Sequence, residues 1–274
     1  MTQPKTNAAA IVIPKGGVLK TTLTVSIAAE HARTGTKTII LEFDSQGDNA
    51  LTFGKNPNKF ENTVYDVLYK GLDYKEALVE LSKNLYLLPS NDDMDWFEID
   101  VLTDKTGKAD NFFGLLKPLV DQLMRDGYLV IMDTPPKMGL VLGNIFNAAK
   151  EVVLPFHPEK YCFNSLVKAV KTISAWAEDK NPGLTINAVV PVKVKSTNIH
   201  KTYLDLADTV LTPLKIKITE VQIPESTKFP DVVSFYNLPI TLIDEDSAIK
   251  KKELGLILQY QKYYRDLVKE LKLI

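Results

Sequence analysis

The chain has 274 residues, 45% of them hydrophobic and 24% charged, which suits one large globular α/β domain and calls for no second one. A net charge of −1 excludes global attraction to nucleic acid, so any such binding must come from a local patch. The single cysteine, Cys162, excludes an internal disulfide and a cluster ligated by several cysteines of the chain. No apolar run reaches the roughly 18–20 residues needed to cross a bilayer. The first nine residues lack a secretory signature, so a soluble cytoplasmic protein is expected.

Apolar runs alternate with helical periods, which predicts parallel βαβ units in a doubly wound sheet. A strand over Ala8 to Ile13 is followed by the turn 14–20 and an amphipathic helix over Leu23 to Ala32. Lys37 to Phe43 reads as a buried strand ending at Asp44, and Ser45 to Gly54 as a turn-rich loop. Short helices are expected over Thr63 to Tyr69 and Tyr74 to Leu81, then a strand over Leu85 to Pro89. Residues 91–110 are polar and have no clear period; Asn111 to Arg125 has helical spacing. The strand Tyr128 to Met132 stops at Asp133-Thr134-Pro135-Pro136, since proline cannot continue a central strand. A helix (Gly139 to Ala149), a strand (Glu151 to Pro155) and a long helix (Phe163 to Asp179) follow. The pattern closes with a strand (Thr185 to Val192), a helix (Ile199 to Leu211), strand character over Ile216 to Ile223 and a helix from Ile249 to Leu273.

The stretch Lys15-Gly16-Gly17-Val18-Leu19-Lys20-Thr21-Thr22 lies between the first strand and its helix. That is the context of a phosphate-binding loop, in which backbone N–H groups and the helix dipole face an anion. Lys20 is placed to reach the β/γ-phosphates and the Thr21 hydroxyl to sit on Mg²⁺. Asp44 ends a strand at the rim where α/β sheets hold ligands, although it also suits an Asx turn opening the Ser45–Gly47 loop. Glu42, two residues earlier on the strand, is a weaker candidate for the same rim. Asp133 ends a buried apolar strand, a costly place for a carboxylate without a cationic partner.

With Lys15 at its head, the loop resembles the deviant Walker A box, KGGxGK[ST]T, of the ParA/MinD-type ATPases. It departs from that box at Leu19, where the family has glycine, and Ile13 and Pro14 are unusual just before it. Leucine in a left-handed conformation costs roughly 1–2 kcal/mol, which leaves nucleotide binding open at this point. Asp44-Ser45-Gln46-Gly47 resembles the family's D-P-Q-G segment, and Asp133-Thr134-Pro135-Pro136 its DxPP Walker B segment. Pro155 to Glu159, Ile223-Pro224 and Asn237-Leu238-Pro239-Ile240 resemble further family segments, in order to the end of the chain.

The resemblance implies a P-loop NTPase of the deviant Walker A class, one ParA-like domain over 1–274 with no N-terminal helix-turn-helix domain. It implies ATP/ADP and Mg²⁺ as ligands. Gly16, Gly17, Val18, Leu19, Lys20, Thr21 and Thr22, with Pro224 and Glu225 on the adenine side, then form the nucleotide site. Thr21, Asp44 and Asp133 hold the metal, Asp44 positions the attacking water, and Lys15 reaches the phosphates of the partner subunit in a nucleotide-sandwich homodimer. Family members bind DNA without sequence preference through basic residues, here Lys193, Lys195, Lys228, Lys250, Lys251 and Lys252. Each of these also reads as an ordinary solvated lysine. Hydrolysis stimulated by a ParB-like partner would release the dimer from the nucleoid and so move a plasmid, chromosome region or other cargo. Two alternatives stay open: a nucleotide-binding scaffold blunted by Leu19, and a MinD-like membrane positioner. The stripe Leu254, Leu256, Ile257, Tyr260, Tyr264, Leu267 and Leu271 is read as core packing and not as a membrane face, so no stable membrane association is expected. His31, His157 and His200 are far apart in sequence and lack metal-ligand spacing.

Overall fold

The computed structural model describes residues 7–244 and 251–273, and of Lys251 and Lys252 only the backbone. Eight strands form one sheet: β1 (Ala8–Ile11), β2 (Thr38–Glu42), β3 (Val79–Ser82), β4 (Leu85–Leu88), β5 (Leu129–Asp133), β6 (Glu151–Phe156), β7 (Thr185–Val194) and β8 (Ile223–Pro224). Their order is β3-β4-β2-β5-β1-β6-β7-β8, and every pairing is parallel except β3 with β4. The doubly wound expectation therefore holds. Strands are added on one side of β1 as far as β5 and on the other from β6 onward, so the strand order switches there and the carboxyl ends of β1, β2 and β5 open on one crevice, where such sheets place ligands.

Central strands are apolar on both faces, as parallel sheets covered on both sides require. Ala8 and Ala10 of β1 join one core and Ala9 and Ile11 the other, following the period-two alternation. One layer is built from α4 (Phe97–Thr103), α5 (Lys117–Arg125), α6 (Leu140–Ala148), α7 (Lys160–Asp179) and α8 (Asn198–Leu211). Against the opposite face pack α1 (Lys20–Arg33), α9 (Phe229–Tyr236) and α10 (Lys251–Leu271). In α10, Ile257, Tyr260, Tyr264, Leu267 and Leu271 are all buried, which bears out the core-packing reading of that stripe.

Four expectations change. Within the loop expected over Ser45 to Gly54, a short helix, α2 (Asp48–Thr52), forms. The segment Tyr74 to Leu81 is helical only in α3 (Tyr74–Ala77); Leu78 is extended and β3 then pairs antiparallel with β4 through a turn at Asn84, whose φ is 64°. Alternating Val79 and Leu81 suit a half-buried edge strand better than a helix. The helix expected from Asn111 starts at Lys117, because Pro118 is accepted only in a first turn. Strand character over Ile216 to Ile223 shrinks to one bridge, Val189 to Ile218, and the two-residue β8. There the N–H groups of Glu220 and Val221 donate to the Glu270 carboxylate of α10 (2.9 and 3.2 Å), so they are not free to form a ladder. The start of the last expected helix, at Ile249 and Lys250, lies outside the described residues.

Candidate functional site

Residues 14–19 turn sharply from β1 into α1. Gly17 has φ 72°, and a Cβ built there meets nothing within 4 Å, so glycine is favoured by backbone conformation and not by crowding. Leu19 also takes a left-handed conformation (φ 59°, ψ 29°) at the N-cap of α1, and its carbonyl accepts the first helical bond from Leu23 N (2.8 Å). Its side chain leaves the loop sideways and packs against the core shared by α9 and α10. Val18 is buried and Thr22 half-buried, while Gly16 and Gly17 stay exposed at the mouth.

Lys20 is buried, and its Nζ donates to Lys15 O at 3.0 Å. Burial pulls its pKa down, against the opposing attraction of Asp133 and then Asp44. Asp133 is completely enclosed at the end of β5. Burial pushes it up to about 6, opposed first by a hydrogen bond from Thr21 and then by Asn49, Lys20 and Thr24. Its Oδ1 accepts from Thr24 Oγ1 (3.2 Å) and its Oδ2 from Asn49 Nδ2 (2.8 Å). The partly exposed Asp44 lies above, its Oδ1 accepting from Gln46 N (3.2 Å), so the Asx-turn geometry is present at the rim. Gly47 closes this turn at φ 65°, where a Cβ would come within 2.4 Å of Pro57.

Glu42 is not at the rim. It is fully buried, and its Oε1 accepts from Asn49 N (2.7 Å) and Asn49 Nδ2 (2.9 Å). Ser90 N donates to its Oε2 (3.3 Å). Burial raises Glu42 to about 8, so at neutral pH the pair Glu42 and Asp133 does not carry two full charges. Asn49, at the start of α2 (Asp48–Thr52), thus ties the two carboxylates together. Neither Asn49 nor Thr24 stood out in the sequence. The only available signal was that Thr24 falls one helical turn after Lys20 and Thr21.

Beside the phosphate loop is a second chamber of about 310 Å³, lined by Leu19, Lys193, Pro224, Glu225, Phe229 and Tyr260 among others. Tyr260 OH donates to Pro224 O (2.7 Å) and fixes its floor. Lys193 Nζ donates to Gly17 O (2.7 Å), and Lys195 pairs with Glu225 (2.5 Å). These two lysines therefore sit at the cleft with their charges engaged. Lys228 is exposed at the start of α9, and Lys251 and Lys252 begin α10; Lys250 lies outside the described residues. At the loop's other side, Lys15 Nζ stands 5.8 Å from the ring centre of the exposed Tyr161.

The donor set suits a phosphate anion and a hard divalent cation. The buried ammonium of Lys20 and the α1 N-terminus favour the anion, and the oxygens of Thr21, Asp44 and Asp133 favour the cation. The structure also brings His157 and His200 together, with ring centres 5.3 Å apart and Glu159 beside them. His200 Nδ1 accepts from Lys195 N (3.0 Å), which puts its proton on Nε2, the nitrogen a metal would need. His200 lies in the first turn of α8 and Glu159 at the N-cap of α7, so the trio gathers where two helices start.

A parallel α/β sheet with a strand–loop–helix phosphate cradle and an aspartate ending the neighbouring strand defines a P-loop NTPase. The chain belongs to the AAA_31 family, described as an AAA domain and matched over residues 6–186, and it is of the ParA type. A ParA family protein of Mycoplasma pneumoniae is 29% identical over 269 residues, covering 94% of each chain. The chromosome partitioning protein ParA of Myxococcus xanthus is 27% identical over 245 residues, covering 88% of this chain and 83% of its own. Among solved structures, cobyrinic acid a,c-diamide synthase of Mycobacterium smegmatis with bound ATP analogue and magnesium superposes with a TM-score of 0.72. It is 27% identical and covers 85% of this chain and 93% of its own.

Proposed function

We propose that the protein is a ParA-like ATPase of the deviant Walker A class that positions DNA or another cargo. The observation that supports this best is the buried Lys20 ammonium within the electrostatic reach of the buried Asp133 carboxylate, which accepts from Thr24 and Asn49 beneath a phosphate cradle. In this reading residues 16–22 and Lys20 hold the phosphates of ATP or ADP, and Pro224 and Glu225 flank the base. Thr21, Asp44 and Asp133 would hold Mg²⁺, which when bound neutralises phosphate charge. Asp44 orients the water that attacks the γ-phosphorus, and Lys20 stabilises the charge that develops on the phosphate oxygens. Lys15 reaches the nucleotide of a second copy, so ATP favours a sandwich homodimer.

The dimer binds DNA without sequence preference, in the cytoplasm on the nucleoid, and a ParB-like partner stimulates slow hydrolysis and release. Lys228 and Lys250 to Lys252 are the stronger DNA candidates, since Lys193 and Lys195 already have partners in the cleft. A MinD-like membrane role has less support because α10 spends its apolar stripe on the core. A scaffold without turnover has less support because Leu19 directs its side chain away from the phosphate seat.

Titration calorimetry with ATP and Mg²⁺, on the wild type and on Lys20→Ala, tests this reading. Micromolar binding by the wild type, about −8 kcal/mol, lost in the variant, is the expected result. Equal binding by both, or none by either, overturns it.

A further inference from the structure

The surface beyond Asp44 has a character that the nucleotide site does not use. Residues 91–104 carry six carboxylates (Asp92, Asp93, Asp95, Glu98, Asp100, Asp104) and no lysine or arginine. Met94, Phe97 and Val101 turn into the core. On the opposite side Trp96, Ile99 and Leu102, three residues apart and so neighbours on one helical face, are 61%, 52% and 51% exposed. Met138, also 51% exposed, lies in the loop after β5. Glu98 joins the two: its Oε2 accepts from Leu140 N (3.4 Å), and with Asp95, Met138 and Asp44 it lines a cleft of about 480 Å³. Trp96, Ile99 and Leu102 lie outside that lining, which also includes Lys137; the acidic flank of their helix, through Asp95 and Glu98, borders the cleft that holds Asp44.

Some of the acids are used internally. Asp100 accepts from Tyr65 OH (2.7 Å), and Asp104 pairs with Lys108 (3.6 Å). Among the described residues, Asp92, Asp93, Asp95 and Glu98 make no ion pair, and all four are exposed. An exposed tryptophan flanked by leucine-sized side chains is the composition of a binding anchor, not of an ordinary solvated helix. Its carboxylate surround decides what it fits. Nucleic acid and the anionic face of a membrane are repelled. A second copy meeting this face across a two-fold axis would bring like charges together. A segment with lysine or arginine beside large apolar side chains matches both features.

We propose that the Trp96–Ile99–Leu102 face is a docking surface for a basic, apolar-studded helical segment of another protein. Seated there, the segment lies beside Asp95 and Glu98, the acidic flank that borders the Asp44 cleft. The inference does not rest on nucleotide binding, and its test needs no nucleotide.

The probe is a fluorescein-labelled 20-residue peptide of lysine and leucine at helical spacing, with a glutamate-for-lysine counterpart as control. Binding to the full chain is followed by anisotropy, and by tryptophan emission with an unlabelled copy. Trp176, the other tryptophan, is packed against Phe113 and Phe146, so a blue shift reports on Trp96. The basic peptide should bind saturably and shift the emission. Its affinity should fall at least tenfold in Ile99→Ser/Leu102→Ser and again in Asp92→Asn/Asp95→Asn, with circular dichroism unchanged. The acidic peptide should not bind. Equal affinity for wild type and both variants, equal binding of the acidic peptide, or unmoved emission overturns the proposal. So does a sedimentation result in which Ile99→Ser/Leu102→Ser abolishes self-association while leaving peptide binding intact, since the face would then belong to a second copy.

Discussion

The phosphate side and the chamber beside it share Leu19 but are built differently. At the phosphate side, four charged or polar side chains from β2, β5, α1 and α2 are buried and mutually bonded within a few residues of strand ends. The neighbouring chamber rests on the two-residue β8, one tyrosine–carbonyl bond and two surface lysines. Buried polar groups are costly unless satisfied, so the first region has few alternative arrangements. The second is held by apolar packing and exposed pairs, which tolerate change. Chemistry should therefore be lost abruptly by substitution on one side and gradually on the other.

The largest effect is expected at Lys20. Removing its ammonium in Lys20→Ala should weaken ATP binding by about 3 kcal/mol, roughly a hundredfold, in titration calorimetry. Asp44→Ala separates binding from turnover. Single-turnover phosphate release should fall by about 10²-fold or more while affinity changes only a few-fold, because the residue acts mainly on the water and Thr21 and Asp133 remain to hold the metal. A parallel fall in affinity would mean that Asp44 holds the ligand.

Asn49→Ala tests whether the buried network is as tightly coupled as its bonds imply. Both Glu42 Oε1 and Asp133 Oδ2 lose donors, so thermal unfolding should register a loss of about 1–3 kcal/mol. Glu42 adds a pH signature. Its pKa rises from 4.5 to about 8 on folding, so the folded state binds the proton more tightly than the unfolded chain. That contribution is complete below about pH 4.5 and disappears as pH rises through 8. Urea denaturation between pH 5 and 9 should show the wild type losing stability relative to Glu42→Gln, which has no proton to release; parallel curves would rule out a raised Glu42. On the other side, Tyr260→Phe removes the bond to Pro224 O and the interaction with Ser226, both at the chamber wall, and about 1 kcal/mol is expected from denaturant unfolding.

The same contrast explains what could be read without coordinates. Lys20, Thr21, Asp44 and Asp133 sit where strand ends meet turns, and glycine and proline punctuate those places in the chain itself. Most strand–helix alternations were legible because parallel strands are continuous apolar runs. Asn49 and Thr24 were not, since a polar side chain in a helix reveals its partner only once three strands are aligned. Glu42 shows the limit of period-two reasoning: it points toward the crevice side but ends under α2, bonded to Asn49. His157 and His200 meet because β6 and β7 pair, a contact that no local spacing announces. The edge strand β3 is hard to see in the chain because its four residues follow the helical start at Tyr74 with only Leu78 between them.

The smallest effect is expected where the two regions join. Leu19→Gly relieves the left-handed strain, about 1–2 kcal/mol by steric cost. It also removes a side chain that lines both the 310 Å³ chamber and an adjoining one of about 210 Å³, each bordered by Phe229 and Pro230. Losing that partly buried leucine costs about as much as the strain released, since full burial of a leucine is worth about 1.5–3 kcal/mol. Stability and ATP affinity should both stay within a few-fold of the wild type. The two terms act through different places, the backbone of the loop and the packing against α9, so Leu19→Ala keeps the strain and loses the packing. That variant should be less stable than Leu19→Gly in denaturant unfolding. If it is instead the more stable of the two, the backbone at residue 19 is not held left-handed in solution.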